Sequence, residues 1–148
     1  MAAKLSGADN ERAGNQSDTW TGGCLCCRCR NEFAHDPLAV GLCHCNMCKK
    51  ATGGPFAILV RVSAADLKWT DGAPQSYRSS PSATRGFCPR CGTPPYLDYD
   101  NDDKLRLTVG SLDHPEQVAP QGHYGIESRL PWVNCWDDLP GEETKERF

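Results

Sequence analysis

Residues 41–50 read GLCHCNMCKK and place Cys43, Cys45 and Cys48 within six positions, with His44 between the first two. Three thiols are one short of a closed tetrahedral zinc site. Either a distant cysteine completes the set or one position on the metal stays open. The setting decides whether such thiols bind metal or pair as disulfides. The N-terminal stretch MAAKLSGADNERAGNQSD has no apolar signal-peptide core, and no run approaches the ~20 apolar residues of a membrane span. The expected location is the cytoplasm, where closely spaced cysteines are metal ligands in preference to bridges.

The chain holds ten cysteines, so seven lie outside this cluster. Cys88 and Cys91 in CPRCG form a zinc knuckle: two thiols three positions apart wrap one metal, and Gly92 allows the tight turn that aims amides at sulfur. That is half a site. Cys24 and Cys26 in GGCLC supply the other half if alternate residues of a strand share a face, giving a closed four-thiolate structural zinc. The plainer alternative for Cys24 and Cys26 is two small buried hydrophobes. Cys27, Cys29 and Cys135 are left over. On strand parity Cys27 and Cys29 point away from the Cys24–Cys26 site, and Cys135 in PWVNCW, the one distant candidate for a fourth ligand to the three-cysteine cluster, is expected instead to pack between Trp132, Val133 and Trp136.

Length and composition set the frame for these sites. A chain of 148 residues is one domain and can bury a core, yet 11 Pro, 14 Gly and a mean hydropathy of -0.57 describe a turn-rich protein of modest apolar content. Metal is then the natural second source of stability. Residues 1–19 read as a tail, 20–139 as the zinc-binding domain and 140–148 as a C-terminal tail. Strand chemistry recurs between turns in TGGCLCCRCRNEF, LAVGL, FAILVRV, LKWT, QSYRS, TRGFC, PYLDYD, KLRLTVGSL, HYGIES and PWVNCW. Helix is confined to a turn over residues 46–51 and another after Ser63. The expectation is an all-β domain with little helix.

GGCLC, CHCNMCKKATGGPF, RGFCPRCGTP and GSLDHP, in that order, resemble the glutathione-dependent formaldehyde-activating enzyme family, whose relatives include centromere protein V. The resemblance covers roughly residues 20–135. It implies a β-tent-like zinc fold with two metals: Cys24, Cys26, Cys88 and Cys91 on a structural zinc, and Cys43, Cys45 and Cys48 on a catalytic one. It also implies carbon–sulfur lyase or thiol-adduct chemistry on a glutathione-type thiol and a small electrophile such as an aldehyde. A three-thiolate zinc with an open position suits that chemistry, because it can bind a thiol and lower its pKa. The sequence departs from the family pattern at Cys27 and Cys29, where relatives commonly carry Gly and an aliphatic residue.

Charge supplies a separate test. Residues 20–92 hold nine Lys or Arg against four Asp or Glu, and residues 93–148 hold five against twelve. A basic zinc-bearing half raises the rival reading of a zinc-stabilised binding module for protein or nucleic acid. Seven thiolates and two Zn²⁺ reduce the surplus of +5 to +2, however, and no recognition helix follows the cysteine cluster. Nucleic acid is therefore an unfavoured partner, and no membrane partner is expected. Arg28, Lys49, Lys50 and Arg85 are candidate clamps for substrate carboxylates, against the plainer reading of a solvated face. His44 is either packed or hydrogen-bonded near the metal. His123, Tyr124, Glu127, Asp113 and His114 are candidate acid–base groups. Trp20, Phe56, Trp69 and Trp132 either wall a pocket or fill the core.

Overall fold

The structure, a computed structural model, describes residues 19–144. Residues 1–18 of the expected N-terminal tail and 145–148 of the C-terminal one lie outside them. The chain is mostly β, as its sequence predicts, with two open sheets and one short helix among the described residues. β1 (Trp20–Gly23), β2 (Arg30–Phe33) and β5 (Lys68–Asp71) form a three-stranded antiparallel sheet in the order β1-β2-β5.

The larger sheet contains β3 (Ala39–Cys43), β4 (Ala57–Ser63), β6 (Gln75–Ser80), β7 (Ala83–Phe87), β8 (Tyr96–Tyr99), β9 (Lys104–Thr108), β10 (Gly122–Tyr124) and β11 (Gly141–Glu142). Its order is β11-β10-β3-β4-β9-β8-β7-β6, antiparallel except where β10 runs parallel to β3 and β11. β11 lies in the segment assigned to the C-terminal tail.

Three strand expectations are corrected. TGGCLCCRCRNEF is two strands, because Cys27 adopts a left-handed φ of 61° and the chain reverses over Cys24–Cys29, closed by Cys24 N to Cys29 O at 2.9 Å. The parity argument for Cys27 and Cys29 fails with it. PWVNCW forms turns, and Trp132 stays 66% exposed, so no aromatic box closes around Cys135. KLRLTVGSL stops as a strand at Thr108 and continues as a 3₁₀ turn over Val109–Ser111.

The two faces of the large sheet do different work. Because side chains alternate along a strand, Val40, Val60, Val62 and Leu107 fall on one face, where they meet Phe33 of the small sheet in an apolar core. Trp20 stacks on Phe33 there, ring centroids 5.9 Å apart. Cys43, Ala57, Leu59 and Leu97 fall on the other face, which carries the second cluster. The register ties this face together: Cys43 lies opposite Ala57 and beside Tyr124, and Arg61 lies opposite Arg106.

Candidate metal and active site

The two cysteine groups drawn from the sequence are both assembled. Cys24, Cys26, Cys88 and Cys91 come together, as do Cys43, Cys45 and Cys48, with all sulfurs of a group within 4.8 Å of one another. A tetrahedral zinc–thiolate site with bonds of about 2.3 Å sets its sulfurs about 3.8 Å apart. The Cys24–Cys26 and Cys26–Cys88 separations are 3.6 and 3.7 Å, and Cys43–Cys45 is 3.5 Å, so both donor sets can hold a metal ion of that size.

The first group joins the two sheets. Cys24 and Cys26 sit in the loop between β1 and β2 of the small sheet. Cys88 and Cys91 sit in the knuckle between β7 and β8 of the large one, where Gly92 takes a φ of 76° and donates to Cys88 O at 2.9 Å. The Cys29 amide donates to Cys24 Sγ at 3.3 Å, and the Thr93 hydroxyl lies 3.2 Å from Cys91 Sγ. Hydrogen bonds from Thr93 hold the Cys91 thiol down to about 5. Cys29 itself is buried against Cys24 and Cys88, and burial pushes its thiol up to about 12, so it packs beside the site as a protonated neighbour.

The second group begins at the end of β3 and is finished by α1 (Asn46–Thr52). Cys45 is the N-cap of this helix, and its sulfur accepts the Cys48 amide at 3.3 Å. Gly53 ends the helix in the left-handed conformation, with its N–H on Lys49 O. The first turn of this helix is therefore what brings Cys48 back beside Cys43 and Cys45. All three thiols are buried. Hydrogen bonds from Cys43 and Cys45 hold the Cys48 thiol down to about 3, and Arg85 adds to this, donating from Nη2 to Cys48 Sγ at 3.3 Å. Cys43 is shifted the opposite way, chiefly by its hydrogen bond to Cys45, so the three thiols titrate as one group with the Arg85 guanidinium beside it.

Arg85 thus departs from its expected place on a solvated or substrate-facing surface. It is 6% exposed and spends its charge on the cluster. Lys49 donates to Ser128 O at 2.6 Å, while Arg28 and Lys50 are exposed. Asp113 pairs with Arg30 and accepts from Thr21 at 2.6 Å, which places it by the small sheet and away from the three-cysteine group. Glu127 binds Thr144.

His44 points away from the sulfurs on either side of it and is fully buried. Its Nε2 lies 2.8 Å from Nδ1 of His123, whose Nε2 lies 2.7 Å from Trp136 O. A carbonyl can only accept, so His123 donates to it and His44 donates to His123. Burial, followed by the neighbouring His123, holds His44 down to about 4. His44 is thus both buried and hydrogen-bonded, to His123 rather than to a cysteine sulfur.

A pocket of about 150 Å³ opens on the Cys43 side of the cluster, lined by Leu59, Arg61, Tyr99, Arg106 and Tyr124. Burial pushes the Tyr99 hydroxyl up to about 12, so it stays a phenol beside the thiols. Among the aromatic candidates, Trp20 and Trp69 pack inside, Phe56 tilts against His44 at 5.6 Å, and none lines this pocket. Sequence reading missed Arg61, Tyr99 and Arg106. The available signal was parity: Arg61 lies four residues from Ala57, the partner of Cys43, and so on its face.

A family model described as glutathione-dependent formaldehyde-activating enzyme matches residues 19–128. Among solved structures, a crystal structure of a Rhodobacter sphaeroides protein from a structural genomics programme aligns with a TM-score of 0.51 at 20% identity. The alignment covers 82% of this chain and 99% of that one, and it shows a shared fold. No curated protein sequence matches the chain.

Proposed function

The chain belongs to the glutathione-dependent formaldehyde-activating enzyme family, and on that premise we propose that it is a zinc-dependent carbon–sulfur lyase or thiol-adduct-forming enzyme of the cytoplasm. Its substrates are a glutathione-type thiol and a small electrophile such as an aldehyde. Cys43, Cys45 and Cys48 would hold the catalytic zinc, and Cys24, Cys26, Cys88 and Cys91 would hold a structural one. The observation that carries this reading is the contrast between the two cysteine groups. One has four thiols closing on each other, and the other has three thiols and a pocket on its open side. A zinc bound by Cys43, Cys45 and Cys48 would supply Lewis-acid activation of a substrate thiol near neutral pH.

The chain's own groups would do the rest. Arg85 offsets the charge of the buried sulfurs and, at 3.3 Å from Cys48, fixes that ligand's orientation. Tyr99 and Tyr124 wall the pocket, and Tyr99, kept as a phenol, can donate to a developing alkoxide. The buried His44–His123 pair, anchored on Trp136 O, holds β3 against β10 just where Cys43 must be placed. No helix of the described residues is long and apolar enough to cross a membrane.

Glutathione added to the cobalt-substituted protein should change the absorption of one of the two metal sites and leave the other unaltered. Spectra indifferent to thiols would remove the catalytic reading. Arg85→Met should leave two cysteine groups but weaken metal retention at the three-cysteine one by roughly 10–100-fold, the usual cost of losing an outer partner of a ligand. Competition against a graded chelator measures this, and Arg85→Lys should fall between the two.

A further inference from the structure

Arg61 and Arg106 stand directly opposite each other on β4 and β9, on the face that carries Cys43. Like charges facing each other across a strand pair are destabilising, so the arrangement calls for a compensating group. Arg106 has one: its Nη2 reaches Asp102 Oδ2 at 2.7 Å, and its guanidinium lies 4.6 Å above the Tyr99 ring. Arg61 has none. Its side chain makes no ion pair or hydrogen bond among the described residues, and its Nε is buried without a partner. Both arginines line the pocket that begins at Cys43.

We propose that Arg61, seconded by Arg106, is the residue that determines specificity in this cleft. It binds a carboxylate of the thiol substrate at the end of the pocket away from the cysteine cluster. The inference rests on the thiol chemistry proposed above and adds the requirement that the thiol be an anion. The chemistry of the lining favours a carboxylate. Main-chain amides of β4 and β9 are taken up by the ladder, so no backbone nest for a phosphate is available there. What remains is the unpaired guanidinium of Arg61, a planar fork that matches the two oxygens of a carboxylate, with Arg106, held by Asp102 and Lys104 O, adding positive charge beside it. At about 150 Å³ the pocket is smaller than the sites that enclose whole ligands, which suits it to the end of an extended molecule. The four residue steps along β4 from Ala57, opposite Cys43, to Arg61 span roughly 13 Å of strand, so thiol and carboxylate must be well separated in the substrate.

The test is calorimetric titration of the metal-loaded full chain with glutathione and with glutathione dimethyl ester, which keeps the thiol and loses both carboxylates. The acid should bind the parent protein roughly tenfold or more tightly than the ester, the usual scale for a charge-assisted contact. Arg61→Gln should abolish that preference while still binding both thiols as weakly as the parent binds the ester. Arg61→Lys should restore part of it, and Lys68→Gln, which removes an exposed charge on the other sheet, should leave it intact. Arg61→Gln should also melt no lower than the parent, because it relieves a repulsive pair. Equal binding of acid and ester by the parent overturns the carboxylate site and leaves the thiol reading standing. Failure of both the acid and the ester to bind overturns both readings. A preference unchanged in Arg61→Gln, or a lowered melting temperature in that variant, shows Arg61 to be structural and overturns the assignment.

Discussion

Cys88→Ser should lower the melting temperature of the protein sharply. Cys88 is 1% exposed and sits in the group whose other half, Cys24 and Cys26, comes from the opposite sheet more than sixty residues away. A metal on these four thiols closes that long loop and pins the β1–β2 hairpin to the β7–β8 knuckle. Closing long loops is where a crosslink contributes most in chain entropy. The two sheets also meet through the Phe33 and Val60 core and the Trp69–Tyr96 ring contact at 6.0 Å, and the Arg30–Asp113 pair beside them is weak because it is partly exposed. Structural zinc sites contribute their binding energy to folding directly. Losing one ligand should therefore remove ~3 kcal/mol or more, a melting-point fall on the order of 10 °C. Aggregation during purification is an expected form of the result. A Cys88→Ser protein that melts with the parent would mean this group is not a structural metal site.

Much of this arrangement was legible in the sequence because it depends on short-range spacing. A C-x-x-C-G knuckle needs no tertiary information to bring two sulfurs together, and C-x-C-x-x-C across a strand end and a helix start carries its own geometry. The strands of the large sheet were equally plain, since AILVRV is a short, largely β-branched apolar run, KLRLT alternates, and turn residues bound both. What failed was local backbone reversal. Nothing in CLCCRC announces that Cys27 will adopt a left-handed φ, a conformation uncommon for residues other than Gly, Asn and Asp. With that reversal, the buried Cys29 turned toward Cys24 and Cys88 when a continuous strand would have turned it away. Arg85 was misplaced for a related reason. A charge in a strand is assigned to water by default, and only the register of β7 with β8 shows that it shares a face with Leu97 and reaches a buried sulfur. The joining of Arg61 to Arg106 likewise depends on pairing between strands forty-odd residues apart, which hydrophobic periodicity alone does not specify.

Cys45→Ser should separate chemistry from stability. Its three-cysteine group is drawn from six consecutive positions, so no long loop is released when a ligand is lost. The local structure also tolerates the change. Cys45 caps α1 by accepting the Cys48 amide through its sulfur at 3.3 Å, and serine is among the best residues for that duty. The hydroxyl can take over the same bond from nearly the same place, so the turn that returns Cys48 toward β3 is kept. Two thiols remain, with Arg85 still beside Cys48, and two ligands are too few to retain zinc against a chelator in a site built for three. The expected protein is soluble, has the circular dichroism of the parent, and melts within a few degrees of it. It should carry about one zinc, on the four-cysteine group, and should show no turnover of any glutathione adduct the parent processes. Metal analysis, melting and an adduct assay on one preparation are sufficient. Collapse as severe as that of Cys88→Ser, or full activity in a folded Cys45→Ser protein, would abolish the division between a metal that holds the sheets together and a metal that does chemistry.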